Sequence, residues 1–278
     1  MKAVKVLVLT GYGLNCDRET AHAFEQAGAV VRRVHINALI EKSAALAGYQ
    51  MLVFGGGFSW ADDHGAGVIQ AVRLKTHLGA EVRRFIADGN LIFGICNGFQ
   101  TLVNFGLLPG FEMALGPDGA AVERCAALTV NDCGNFRDEW VRLRFNPQSP
   151  CIFTRDMTVI DLPVRHGEGK FFAQETVLQR LAAGNQVVAR YAAPDGSAAA
   201  GRFPYNPNGS LDDIAGICDP SGRVFCLMPH PEAYNHWTNH PDWHAERQAA
   251  LRRGRKWGSG MPPGIRMLHN AVQYLQAR

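Results

Sequence analysis

Strand-length apolar runs alternate with helix-patterned segments through the first 108 residues, and this alternation restricts the fold more than any other feature. Residues 4–9 are a continuous apolar run that ends at Gly11-Tyr12-Gly13. Residues 18–27 carry Ala21, Phe24 and Ala27 at helical spacing. Residues 30–36 and 51–54 read as two more strands, the second stopping at Gly55-Gly56-Gly57. A long helical stretch over 68–87 leads to a strand at 91–95, then Cys96, then helix over 100–105. Fully apolar strands joined through helices belong in a parallel sheet whose two faces are both covered. The pattern predicts an α/β fold: a doubly wound, mostly parallel sheet with helices on both faces.

The second half is richer in strands, over 126–130, 140–145, 163–172, 187–191 and 223–228, with Gly, Pro and Asn turns between them. They are expected to extend or cover the same core. There is no internal repeat, and 278 residues fit one large domain or two small ones. We read a single domain over 1–278, with a core at about 5–235. The His-, Trp- and Arg-rich stretch 236–278 is expected to wrap the surface.

Seven cysteines stand at 16, 96, 125, 133, 151, 218 and 226, with no C-x-x-C pair. An odd, scattered set suits free thiols in a reducing cytoplasm better than a disulfide framework or a zinc site. The opening apolar run is too short for a secretory signal, and no run approaches a membrane span. A net charge of +3 is too mild to indicate nucleic acid.

Gly94-Ile95-Cys96-Asn97-Gly98 follows a buried strand and opens a helix, which makes it a G-x-nucleophile-x-G elbow with Cys in place of Ser. The sharp turn brings neighbouring backbone too close for side chains at its flanks, hence the two glycines. The partial positive charge of the helix start favours thiolate over thiol. The plainer alternative, a buried cysteine at a strand end, fits the other six cysteines better than it fits Cys96.

Such a cysteine needs a base and a group to orient it. Met228-Pro229-His230-Pro231-Glu232 supplies both, because residues two apart in extended backbone point the same way. His230 would take the thiol proton and return it to the leaving amine, with Glu232 holding the ring tautomer. Attack on an amide also places charge on its oxygen. Gly56 and Gly57, at the end of a parallel strand, and the N–H of Asn97 are the candidate oxyanion donors.

These motifs together resemble the class I, triad-type glutamine amidotransferases. The resemblance narrows to the glutaminase components of phosphoribosylformylglycinamidine synthases through three further segments: Leu14-Asn15-Cys16-Asp17-Arg18-Glu19, Arg165-His166-Gly167-Glu168-Gly169-Lys170-Phe171, and Tyr205-Asn206-Pro207-Asn208-Gly209-Ser210 followed by 214–217. It implies Cys96 as nucleophile, His230 as base and Glu232 as its orienter. It also implies that Gln100, Asn135, Phe136 and the rest of 131–136 help to position glutamine, with His166 and Glu168 in the substrate pocket or at a partner interface. A glutamyl thioester would form, and ammonia would pass to a large ATP-dependent synthetase subunit in purine biosynthesis, with room for a small bridging subunit. The chain itself is expected to need no metal or cofactor. It has no Gly-x-x-x-x-Gly-Lys-Ser/Thr loop, so ATP and Mg are expected in the partner. Another cysteine-triad hydrolase on this fold, a peptidase or a γ-glutamyl hydrolase, is the alternative; a non-catalytic assembly subunit is a third.

The chain departs from the family pattern at Trp60-Ala61-Asp62-Asp63-His64, at Cys133 in place of Ser, and at Asn135 in place of Arg. Other signals were weighed. Gly11-x-Gly13 lacks the third glycine of a dinucleotide loop. His236, His240 and His244 have metal-like spacing, but Pro241 interrupts it. His230-x-Glu232 without Pro-Cys-x-x-Cys is no deaminase. The basic residues Arg247, Arg252, Arg253, Arg255 and Lys256 read as a solvated face.

Overall fold

A computed structural model describes residues 3–42, 44–111 and 124–278. Nine strands form one sheet in the order β2-β1-β3-β4-β11-β10-β9-β6-β7. β1 (Lys5–Thr10), β2 (Val30–His35), β3 (Met51–Phe54), β4 (Leu91–Ile95) and β11 (Val224–Leu227) run parallel to one another. Every residue of β3, β4 and β11 is buried, as expected of strands covered on both faces. α1 (Asp17–Gln26) packs against α7 (Pro263–Gln276), and α3 (Val68–Ala87) against α4 (Asn97–Phe105).

The far half of the sheet is antiparallel. β10 (Ile214–Cys218), β9 (Val187–Ala192), β6 (Arg137–Phe145) and β7 (Val159–His166) follow β11. Half of the neighbouring pairs are therefore parallel and half antiparallel, so the later strands extend the same sheet. The expected single strand at 163–172 is two. β7 ends at His166, and β8 (Lys170–Ala173) pairs instead with β5 (Ala126–Thr129) in a separate two-stranded sheet. The intervening Gly167-Glu168-Gly169 turn breaks the run, held by Asn131, whose backbone N–H donates to the Gly167 carbonyl at 2.9 Å.

The expectation of a surface-wrapping tail holds only in part. α6 (Trp243–Arg252) has no buried residue, and the five basic residues from Arg247 to Lys256 are all exposed. α7 is different: Ile265, Met267, Leu268, Ala271 and Val272 are almost fully buried. Its apolar positions recur at three and four residues and point into the core. At its start, a Cβ on Gly264 would stand 2.0 Å from the Pro231 carbonyl oxygen, so the helix abuts the His230–Glu232 segment. Among the described residues, no helix is long and apolar enough to cross a membrane.

Candidate active site

β1, β3, β4 and β11 are parallel, so their carboxyl ends open on one edge, where α/β sheets place their ligands. Four segments leave from there: 11–16, 55–59, 96–100 and 228–232. The register of β11 against β4 places Leu227 beside Ile95, and the Cys96 N–H donates to the Leu227 carbonyl at 2.9 Å. The two segments separating at this point are the one carrying Cys96 and the one carrying His230.

Cys96 sits at φ 50°, ψ −106°, a strained conformation for a residue with a side chain. Close approach explains both flanking glycines. A Cβ on Gly94 would lie 2.5 Å from Cys226 Sγ, and one on Gly98 would lie 2.1 Å from the Phe54 carbonyl oxygen. The helix resumes immediately, because the Cys96 carbonyl accepts from the N–H groups of Phe99 and Gln100. α4 thus starts at Asn97, three residues before the expected start. The Cys96 thiol lies 3.6 Å from the Arg165 carbonyl oxygen.

His230 and Glu232 are 2% and 1% exposed, and Nδ1 of the ring lies 2.6 Å from Glu232 Oε1. Burial pulls the His230 pKa down, but the Glu232 charge and the thiols of Cys96 and Cys16 outweigh it. The ring is held well above its ordinary value. His230 Nε2 and Glu232 Oε2 are buried without a hydrogen-bond partner among the described residues. Gly56 packs directly on the ring, since a Cβ there would come 2.7 Å from His230 Cε1. Gly57, at φ 140°, is pressed against the Gly13 carbonyl and the Leu14–Asn15 backbone. Asn97, as the first residue of α4, has an N–H with no acceptor within the helix.

Asn97 ties α4 to the 59–62 loop. Its Oδ1 accepts from the Ser59 N–H at 3.3 Å, and its Nδ2 donates to Asp62 at 3.0 Å and to Gln100 Oε1 at 2.9 Å. Gln100 Nε2 donates to the Glu168 carbonyl at 2.6 Å, so its amide acts as a strut across to the 166–169 turn. Trp60, Ala61, Asp62 and His64 all have positive φ, a concentration of strain that tight surrounding structure must hold. Asp62 is half-buried, and burial followed by the Glu168 charge pushes its pKa up to about 6. The Glu168 side chain accepts from the Ala66 N–H at 3.4 Å. Two carboxylates therefore converge beside the nucleophile's helix. Asp62 lies within the stretch where the chain departs from its family, and sequence reasoning did not single it out.

The other expected positions fare differently. Phe136 is exposed and its ring stands 6.3 Å from that of Phe58, next to Gly57, so it lies at the rim. Asn135 is exposed, and its carbonyl accepts from Asn131 Nδ2 at 3.0 Å. His166 is 2% exposed and so offers no surface to a docking partner. Its Nδ1 donates to Asn131 Oδ1 at 3.2 Å and its Nε2 accepts from Asn208 Nδ2 at 3.4 Å. Burial, with the nearby His230, drives its pKa down to about 3, which keeps the ring neutral. His236, His240 and His244 share no helix, and they form no metal-ligating cluster among the described residues.

Cys16, expected to be packing, is at the site. Its Sγ lies against the same face of Gly56 as the His230 ring, 3.2 Å from where a Cβ would be. Its position beside Asn15 and Asp17, in a loop at a parallel strand's carboxyl end, was the available signal.

The sequence matches the CobB/CobQ-like glutamine amidotransferase domain over residues 3–275. It is 41% identical over 272 residues to the phosphoribosylformylglycinamidine synthase subunit PurQ of Methanococcus maripaludis, covering 97% of each chain. It is 46% identical over 246 residues to the subunit of the same name from Dehalococcoides mccartyi, covering 88% of this chain and 91% of that one. Among solved structures, a chain of PurLQS from Thermotoga maritima superposes with a TM-score of 0.69 at 26% identity, covering 99% of this chain and all of that one.

Proposed function

The chain belongs to the CobB/CobQ-like glutamine amidotransferase domain family, and from that premise we propose that Cys96, His230 and Glu232 are its glutamine-hydrolysing groups. In this reading it is the glutaminase subunit of phosphoribosylformylglycinamidine synthase. It supplies ammonia to the synthetase subunit that makes formylglycinamidine ribonucleotide. Relatives of nearly equal length at 41% and 46% identity carry that name, and the Thermotoga relative is a chain of a PurLQS assembly.

The observation that carries the residue assignment is the position of His230, clamped by Glu232 at 2.6 Å within the electrostatic reach of a strained cysteine at a helix start. The Cys96 sulfur attacks the side-chain amide carbon of glutamine, and His230 holds the thiol proton. Negative charge gathers on the amide oxygen, and the N–H groups of Gly56, Gly57 and Asn97 are the donors we assign to it. Collapse breaks the C–N bond, His230 protonates the departing nitrogen, and ammonia leaves behind a glutamyl thioester. His230 then takes a proton from water, whose oxygen attacks the thioester; glutamate and the Cys96 thiol are released. Glu232 stabilises the imidazolium in both halves. Asp62 and Glu168, whose charges sense each other beside α4, are the acidic pair we assign to the substrate's α-ammonium, with Phe136 and Asn135 at the entrance.

The ammonia must pass on neutral, because protonation in bulk water removes its lone pair. ATP and Mg belong to the synthetase partner, and this chain supplies no cofactor. A cytoplasmic location fits the odd, scattered set of seven cysteines with no C-x-x-C pair. The test is reconstitution with the synthetase subunit. Cys96→Ala should abolish glutamine-dependent turnover, a loss of at least about 10³-fold, and leave ammonia-dependent turnover intact. Retained glutamine use in that assembly would overturn the assignment.

A further inference from the structure

Cys16 is a second buried thiol in contact with the residues that serve Cys96, and the hydrolytic chemistry gives it no task. Its Sγ, a ring nitrogen of His230 and a carboxylate oxygen of Glu232 all lie within 4.8 Å of one another, and all three residues are buried. One of these groups has spare bonding capacity: Glu232 Oε2 is buried with no hydrogen-bond partner among the described residues. Gly56 keeps the shared face open, because a Cβ there would press on both Cys16 Sγ at 3.2 Å and His230 Cε1 at 2.7 Å. The Cys16 thiol is pushed up by burial and drawn back by the His230 ring.

We propose that Cys16, His230 and Glu232 form a binding site for a thiophilic divalent cation such as Zn²⁺, and that its occupation switches the glutaminase off. One thiolate, one imidazole and one carboxylate suit a borderline-soft, tetrahedral ion, with water in the fourth position. Bonds of about 2.0–2.3 Å place tetrahedral ligands roughly 3.3–3.8 Å apart, so the ion would open the His230–Glu232 pair, now 2.6 Å apart, by about 1 Å and draw Cys16 Sγ, within 4.8 Å of both, inward.

The protons balance as follows. The ion takes the Nδ1 lone pair, so the proton that Nδ1 holds against Glu232 leaves. The Cys16 thiol proton also goes to solvent, and the remaining ring proton stays on Nε2. Binding thus releases protons and strengthens as pH rises. A neutral ring with its lone pair on the metal and its hydrogen on Nε2 cannot accept a proton from water. Its N–H is also too weak an acid to serve the departing nitrogen. Both halves of the reaction stop while Cys96 stays chemically unmodified.

The inhibitory consequence rests on His230 being the base, but the binding does not, so Co²⁺ provides a readout separate from activity. Titration of the full chain with Co²⁺ should produce a thiolate-to-cobalt charge-transfer band, absent in Cys16→Ser and present in Cys96→Ser. In the assembly with its synthetase, Zn²⁺ should lower glutamine-dependent turnover at least tenfold, reversibly with a chelator. Cys16→Ser should resist the ion, its turnover with Zn²⁺ staying within about twofold of its own metal-free rate. No band, or a band lost in Cys96→Ser and kept in Cys16→Ser, overturns the site. Binding without inhibition overturns the switch, and survival of glutamine turnover in Cys96→Ala separately overturns the assigned base and nucleophile.

Discussion

Asp62 and His166 are both perturbed by burial, in opposite directions, and each has a testable consequence. Asp62 is pushed up to about 6 by burial and then by Glu168, so it loses its charge as the pH falls through that value. If it faces the α-ammonium of glutamine, KM for glutamine should rise several-fold below about pH 6 while kcat changes less. Asp62→Asn should raise KM at neutral pH and flatten that limb; a KM that ignores both pH and the substitution would remove Asp62 from the substrate contacts. His166 is depressed to about 3, so the folded state binds fewer protons than the unfolded chain between about pH 3 and 6.5. Its contribution to stability is complete above pH 6.5 and is lost as the pH falls through that window, at up to roughly 1.4 kcal/mol per unit. His166→Gln should cost about 1–3 kcal/mol at pH 7 by disturbing the Asn131 and Asn208 bonds, and the variant's acid-side urea midpoints should fall less steeply than those of the wild type. Cys96, His230 and Glu232 stand out in the sequence as candidates because their types and local spacing suit the proposed chemistry. Asp62 and Cys16 could not, because what distinguishes them is a neighbour distant in the chain: Glu168 for one, His230 for the other.

Among the elements, the strand–turn–helix around Cys96 was the most readable, since its glycines record contacts with neighbouring strands. Gly98 sets its α-carbon against the Phe54 carbonyl, where a Cβ would lie 2.1 Å from oxygen. Gly98→Ala must therefore push α4 off β3, and the nucleophile with it. We expect a loss of at least about 10²-fold in glutamine-dependent turnover, read beside a Tm that falls by several degrees. Unchanged kinetics would show that the turn tolerates the displacement. β3 and β4 were legible because each is a solid apolar block that runs into a glycine or a cysteine. The 163–172 stretch misled for the same reason: apolar residues on either side of Gly167-Glu168-Gly169 looked continuous, and tertiary bonds to this turn, among them those from Asn131, Asn208 and Gln100, separate the two strands. α5 (Glu175–Ala183) went unseen because it buries only Leu178 and Leu181, too few to mark a period.

At the scale of the whole molecule, α7 changes the standing of the chain's end. Charged and aromatic composition over 236–278 suggested a covering, yet the last helix buries an apolar face against α1 and abuts Pro231. Local pattern could have revealed that face, but the basic, proline-broken stretch before it hid it. Leu268 is fully buried, so Leu268→Ala should destabilise the protein by about 2–5 kcal/mol, measured by urea unfolding; a change under about 0.5 kcal/mol would make α7 peripheral after all. Sheet order has a consequence in time as well as space. β11 lies between β4 and β10, so during synthesis the nucleophile's strand exposes an unpaired edge until nearly the whole chain has emerged. At ordinary translation speeds that delay is on the order of ten seconds. When β11 closes the gap, it brings His230 to Cys96 in the same event, and α7 follows to brace the turn behind it. On the proposed roles, a chain that stops short of β11 holds the Cys96 thiol but no base beside it, and the site is complete only when the core is.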